Sequence, residues 1–117
     1  MGISIGLSLM GYIPISLYSR MDFLILAMNQ LVNHLDKIEA ISHGEFVPKV
    51  IIRTLVGSRT PLDGGLQHTQ DYTIAIRDFI PNIQIYQIAT AESAVKYYKE
   101  ALYSPKSCLM VEYGEKY

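Results

Sequence analysis

The chain has one cysteine, Cys108, and no tryptophan among its 117 residues. A single cysteine cannot form an internal disulfide, and the sequence has no Cys and His pairs at the spacing of a zinc finger. These absences argue against a disulfide scaffold and a zinc module. We therefore expect a fold held by an apolar core, in a reducing, cytoplasmic setting.

Charge is also sparse. Charged residues make up 18% of the chain, and the net charge is −1. No cationic excess is present to neutralise a phosphate backbone, so we expect no nucleic-acid partner. Residues 1–19 carry no charge. They lack the basic start and cleavage site of a signal peptide, and glycines and Pro14 interrupt the apolar run, so we expect no membrane partner.

Half of the residues are apolar, which is enough for one compact domain over residues 1–117. Apolar spacing predicts helices over 2–10, 22–41, 69–79 and 90–103, and strands over 13–18, 49–53, 83–87 and 107–112. Residues 54–67 are predicted to be loop. Alternating strands and helices predict an α/β fold, an open parallel sheet with helices on both faces.

The longest predicted helix, 22–41, has Asp22 as its expected N-cap and a charged outer face that includes Asp36 and Glu39. Its opposite side is predicted to pack on the sheet through four apolar residues, Leu24, Met28, Leu31 and Leu35. Thr90 is predicted to cap the last helix.

The polar segment from Gly64 to Gln70 is the most informative for function. Ligand sites of open parallel sheets lie at the carboxyl ends of the strands, and this loop follows a buried strand. It is expected to place His68 at the start of a helix, where an imidazole can donate or accept a proton near neutral pH. The structural alternative is a histidine that only hydrogen-bonds at a helix start. The sequence contains neither a dinucleotide fingerprint nor a Walker loop.

The order of the motifs resembles the pyrimidine-binding domain of thiamine-diphosphate enzymes, most closely the beta subunit of 2-oxoacid dehydrogenases of the pyruvate, branched-chain and acetoin type. The matching stretches are Gly2-x-x-x-Gly6, Met10 to Pro14, Asp22-Phe23, Ala27 to Asn33, Pro48 to Arg53, Gln67-His68-Thr69-Gln70, Ile80 to Ile83 and Pro105 to Glu112. The resemblance implies a thiamine-diphosphate-binding fold of the pyrimidine-domain type.

The resemblance also implies roles for two residues. Phe23 matches the aromatic residue that stacks on the aminopyrimidine ring of the cofactor, with a core phenylalanine as the alternative. His68 matches the active-site histidine that faces the substrate and the lipoyl group. The implied cofactor, thiamine diphosphate, is shared with an alpha subunit or an equivalent domain. That partner holds the diphosphate and the magnesium, so no metal ligand is expected here, and a hetero- or homo-oligomer and a lipoyl-domain partner are implied.

The sequence departs from the family pattern in places. The family's glutamate that protonates the pyrimidine ring corresponds to a position before Met1, and this chain has no glutamate before Glu39. We expect the domain to lack its first strand, that glutamate and the carboxy-terminal domain, so whether it is an enzyme is left open. Phe79 stands where a histidine is usual, and Leu17 where an acidic residue is common.

Three functions fit these observations. The chain is part of a 2-oxoacid dehydrogenase beta subunit that contributes the aminopyrimidine side of an intersubunit site, or a non-catalytic binding or assembly module that kept the fold. It could also be a relative of transketolase or deoxyxylulose-phosphate synthase. The segment 67–70 favours the dehydrogenase branch over the last of these.

Overall fold

The structure is a computed structural model that describes residues 1–116. Within them, one sheet is formed by four strands: β1 (Ile15–Tyr18), β2 (Ile51–Val56), β3 (Gln84–Ile88) and β4 (Cys108–Tyr113). The strand order is β1-β2-β4-β3, and all three neighbouring pairs are parallel. The predicted parallel α/β sheet is confirmed.

Helical segments connect the strands. The α-helices are α1 (Gly2–Leu9), α2 (Met21–Leu24), α3 (Ile38–Ile41), α4 (Thr73–Phe79) and α5 (Ala91–Tyr103). Between α2 and α3 lie a 3₁₀ turn, Ile25–Ala27, and a π-helix, Asn29–Leu35. No helix among residues 1–116 combines the length and apolar character needed to cross a bilayer.

The core lies on both faces of the two central strands. On one face, Ile52 and Leu109 pack with Leu24, Leu31 and further residues of the segments that precede β2 and β3. On the other face, α5 packs its buried Ala101 in a smaller cluster that includes Ile51 and Met110. Helices therefore cover both faces, as predicted, and most residues of β2 and β4 are buried whichever face they point to.

An ion pair lies on the α5 face of the sheet. Arg53 donates two hydrogen bonds of 2.8 Å to the carboxylate of Glu112, whose side chain is buried. The Tyr98 hydroxyl donates a third, of 2.7 Å, from α5. Three hydrogen bonds to one buried carboxylate compensate much of its desolvation and join β2, β4 and α5.

The predicted continuous helix over 22–41 is wrong in its interior. The backbone N–H of Asp36 donates to the carbonyl of Leu31, five residues back, instead of four. A π turn holds more residues than an α turn. As a result, the neighbours Leu35 and Asp36 both face inward, each 5% exposed. Apolar periodicity does not detect this change of pitch.

Two polar residues of this segment differ from expectation. Asp36, predicted on the outer face, is buried and accepts hydrogen bonds from Asn82 in the turn before β3. Asp22 is not the N-cap of α2, since that position is Arg20. Both carboxylate oxygens of Asp22 are shielded from solvent and have no hydrogen-bond partner among the described residues.

Some element boundaries also move. β2 continues to Val56 inside the predicted loop 54–67, because Thr54 to Val56 pair with β4. α4 begins at Thr73 instead of Thr69. The Thr73 N–H donates to Asp71 Oδ1 at 2.9 Å, and the Tyr72 N–H donates to Met21 Sδ at 3.0 Å. These contacts delay the start of the helix. α5, in contrast, begins as predicted, with Thr90 and Ser93 forming a capping box.

The first turn of α5 also carries an acid, Glu92. Its own backbone N–H and the Thr90 hydroxyl hydrogen-bond to the carboxylate, which lowers its pKa. A negative charge at this end of a helix interacts favourably with the partial positive charge of the free N–H groups.

Candidate functional site

Two neighbouring strand ends form the candidate site. β1 and β2 are paired in parallel, with Tyr18 opposite Thr54, so the loops that follow them leave the same edge of the sheet. These loops form the walls of an open cleft of about 330 Å³, lined by Ser19, Arg20, Phe23, Gly64 and His68. We call this the ring cleft. It lies where a doubly wound sheet places ligands.

The aromatic rings of Phe23 and His68 are in contact across the ring cleft. Their centroids lie 5.4 Å apart with an interplanar angle of 68°, an edge-to-face arrangement. Phe23 is 41% exposed, and His68 is half-buried. The structure therefore brings together the two residues that the sequence singled out, although their roles stay predictions.

A tight turn holds His68. The Asp63 carboxylate accepts a 2.8 Å hydrogen bond from the Gly65 N–H, and Gly65 has a positive φ of 79°. The Gly65 carbonyl then accepts from the His68 N–H at 3.0 Å and from the Thr69 hydroxyl at 3.1 Å. His68 thus lies in a turn, not at the start of α4, and the prediction of a helix-start histidine is wrong.

Two glycines allow this turn to pack closely. A Cβ at Gly57, just after β2, would lie 2.0 Å from the His68 carbonyl oxygen and 3.1 Å from Arg20 Nε. A Cβ at Gly64 would lie 2.9 Å from the Cβ of His68. Any side chain at Gly57 would therefore displace the His68 backbone.

The ring cleft combines three kinds of group. Phe23 presents an accessible aromatic ring, which suits stacking on a flat heteroaromatic ligand. No described residue forms a hydrogen bond with the His68 ring, so its nitrogens are available to a ligand. Arg20 adds a guanidinium. Aromatic face, imidazole and cation together can orient a ligand and exchange a proton with it.

A second cleft, of about 350 Å³, lies beside the first at the ends of β2 and β4, and its lining includes Arg59, Asp71 and Tyr113. The Tyr113 hydroxyl accepts a 2.7 Å hydrogen bond from Gln87. Partial burial, followed by the nearby charge of Asp71, raises the pKa of Tyr113. The phenol therefore stays protonated at neutral pH.

The other histidines lie outside the ring cleft. His34 is exposed on the π-helix, and His43 lies in a surface turn with φ of 53°. Among residues 1–116, no three His, Cys, Asp or Glu side chains are grouped closely enough to hold a metal ion.

Sequence reasoning did not single out Arg20 or Gly57. Arg20 follows β1 by two residues, and Gly57 directly follows β2. Both positions are strand ends of a parallel sheet, so the rule that led to His68 could have found Arg20 from the correctly predicted end of β1, and Gly57 only with a correct end of β2. β2 was predicted to end at residue 53, which hid Gly57.

The chain is similar to curated proteins over nearly all of its length. It is 32% identical over 112 residues to the pyruvate dehydrogenase E1 component subunit beta of Cyanidium caldarium, covering 96% of this chain and 33% of the relative. It is 30% identical over 112 residues to the chloroplastic E1 subunits beta-3 and beta-2 of Arabidopsis thaliana, covering 27% of each. The chain thus spans about a third or less of their lengths.

No family model matches the chain. The relatives nevertheless confirm the resemblance to beta subunits of 2-oxoacid dehydrogenases that the motifs indicated.

Proposed function

We propose that this chain, which is similar to E1 beta subunits of pyruvate dehydrogenase over 96% of its length, contributes the aminopyrimidine side of an intersubunit thiamine-diphosphate site. The proposed reaction of the assembled enzyme is oxidative decarboxylation of a 2-oxo acid. The contact between Phe23 and His68 at 5.4 Å carries the proposal. It joins a stacking surface and a proton-transfer group in one open cleft.

The residues of the ring cleft fit the pyrimidine part of this cofactor. The Phe23 ring is accessible enough to stack on a heteroaromatic ring, and it contacts the His68 ring edge to face. When bound, thiamine diphosphate supplies the stabilisation of a carbanion. The diphosphate and magnesium are proposed to be held by an alpha-type partner, as the family resemblance implies.

His68 is proposed to act on the substrate side. Its backbone is held by Gly65, while its ring nitrogens are free of hydrogen bonds from described residues. A positioned imidazole with accessible nitrogens can donate to a substrate oxygen, or to an acceptor such as a lipoyl group, and take the proton back.

The test is cofactor binding by calorimetry with magnesium present, using the chain alone, a purified alpha subunit alone, and the two mixed. We expect tight binding only in the mixture. Phe23→Ala should weaken it roughly 2- to 12-fold, the equivalent of about 0.5–1.5 kcal/mol of aromatic pairing. Phe79→Ala is the matched control, because Phe79 is 54% exposed and lies on α4, outside the ring cleft.

His68→Gln should leave cofactor binding intact and lower the rate of product formation by the mixture roughly 10²- to 10⁴-fold, the usual contribution of a general acid or base. Tight cofactor binding by the chain alone would contradict the shared site. A mixture that forms a stable complex but binds no cofactor would support the non-catalytic assembly module instead.

A further inference from the structure

The ring cleft holds a cation that no acid neutralises among the described residues. Two ion pairs are present within residues 1–116, Arg53 with Glu112 and Lys116 with Glu115, and Arg20 belongs to neither. With the described residues, the Arg20 side chain makes one hydrogen bond, from Nη1 to the Ser19 carbonyl at 2.7 Å. Most of its five N–H donors therefore have no partner within residues 1–116.

The guanidinium also lies close to the end of β2. Arg20 is half-buried, and its Nε lies 3.1 Å from the position that a Cβ would take at Gly57. The His68 carbonyl approaches the same point at 2.0 Å. Arg20 thus lies against the backbone that carries the histidine, on the wall of the same cleft.

From this arrangement we propose that Arg20 binds the carboxylate of the substrate in the ring cleft, which rests on the function proposed above. A guanidinium matches a carboxylate with two parallel N–H donors, and this geometry fixes orientation as well as charge. In a 2-oxo acid the carboxylate is bonded directly to the reacting carbonyl carbon. A carboxylate held by Arg20 leaves the neighbouring carbonyl oxygen within the cleft that His68 lines.

The cofactor diphosphate is the other anion that a free arginine could bind, and the cleft suits it less well. A diphosphate carries several negative charges and is usually bound by a glycine-rich loop, by several cations or by a metal ion. Here the ring cleft supplies one guanidinium beside an aromatic ring and an imidazole. One positive charge matches one carboxylate.

The experiment follows the ring resonances of the three histidines by NMR while pyruvate is added to the purified chain, without cofactor or partner. The neutral analogue pyruvamide and inorganic phosphate are titrated in parallel. Arg20→Gln removes the charge, and Arg59→Gln is the matched control, because Arg59 is an exposed arginine that lines the neighbouring cleft.

We expect pyruvate to shift the His68 resonances in a saturable manner while those of His34 and His43 stay unchanged. Pyruvamide should cause no such shift. Arg20→Gln should weaken pyruvate binding at least about tenfold, within the range for a lost charge-assisted hydrogen bond. Arg59→Gln should leave it unchanged. Arg20→Lys should retain only part of the pyruvate affinity, since an ammonium lacks the planar pair of N–H donors of a guanidinium.

Equal titrations for the unchanged chain and Arg20→Gln would overturn the proposal. So would an equal response to pyruvamide, tighter binding of phosphate than of pyruvate, or no His68 shift up to about 50 mM pyruvate, well above a millimolar Kd. This titration contains neither cofactor nor partner. If pyruvate does not bind while the chain mixed with the alpha subunit still binds cofactor, only the proposed role of Arg20 is wrong. If pyruvate binds to the chain but the chain mixed with the alpha subunit binds no cofactor, the proposed function is wrong instead.

Discussion

The carboxylate of Asp36 accepts a hydrogen bond of 2.9 Å from the backbone N–H of Asn82 and another of 3.2 Å from its side-chain amide. The Asp36 carbonyl accepts a further one from the same amide, also at 3.2 Å. Asp36 is only 5% exposed. One buried residue thus joins the end of the π-helix to the turn before β3.

Asp36→Ala should destabilise the fold by about 1–3 kcal/mol, because it removes the two hydrogen bonds that the buried Asp36 carboxylate accepts from Asn82. Urea denaturation followed by circular dichroism measures the loss. Glu39→Ala is the control, since Glu39 is an exposed acid of the following α3 and should change the stability by less than about 0.5 kcal/mol. Equal effects of the two substitutions would show that the contact with Asn82 contributes little.

Much of this fold follows from local sequence pattern. Val50, Ile51 and Ile52 form a continuous β-branched run that predicts a strand buried on both faces, and strands alternate with helices along the chain, so the parallel sheet could be predicted. Phe23 was singled out by the family resemblance alone, and its contact with His68 follows from the parallel pairing of β1 with β2, which puts the loops after both strands at one edge. The N-terminal cap of α5 could be predicted because Thr90 and Ser93 lie within one helical turn of each other.

Long-range contacts account for what the pattern missed. The π turn exists where Asp36 meets Asn82, 46 residues later in the chain. The late start of α4 depends on the contact of Tyr72 with Met21. The role of Gly57 depends on the approach of the His68 carbonyl. Each of these contacts joins residues that are far apart in the chain, so no pattern among neighbouring residues predicts it.

Gly57→Ala should separate the His68 turn from the end of β2. The added methyl would lie 2.0 Å from the His68 carbonyl oxygen, so the backbone of the turn must move. We expect a loss of about 1–3 kcal/mol, as for overpacking, and altered NMR resonances of the Phe23 and His68 rings. Gly6→Ala is the control, because apart from its chain neighbours and the backbone of α1 no atom lies within 4 Å of its would-be Cβ. In the middle of α1 it should stabilise the protein by about 0.5–1 kcal/mol. Unchanged ring resonances in Gly57→Ala would contradict the packing described here.

Cys108 should be unreactive in the folded protein. Burial in the α5 core raises the pKa of its thiol from 9.0 to about 11, so about one molecule in a thousand carries the thiolate at pH 8. Ellman's reagent should react slowly at pH 8 and rapidly once urea unfolds the chain. Fast reaction without urea would indicate that this core opens readily.

The same shift predicts a pH dependence. The folded state holds the Cys108 proton more tightly than the unfolded state, so its contribution to stability is fully present below pH 9 and is lost as the pH rises towards about 11. Burial also raises the pKa of Tyr86, which adds to the loss at high pH. Urea midpoints should therefore fall across this range, and Cys108→Ala should fall less steeply than the unchanged chain. Parallel pH profiles would contradict the assignment.

Self-association is expected at β1, which pairs within residues 1–116 with β2 alone and leaves its other edge open. Ile15 and Leu17, on the same side of this strand, are each 58% exposed, and Ile13 just before it is 47% exposed. An open edge beside exposed apolar side chains favours pairing with another chain. Ile15→Lys should therefore shift the sedimentation profile towards monomer at high protein concentration. Val95→Lys places the same charge on α5, where Val95 is 72% exposed, and should leave association unchanged. If the unchanged chain stays a soluble monomer at high concentration, β1 does not drive association. Equal effects of the two lysines would show the same, because only a contact at the edge of β1 distinguishes the two positions.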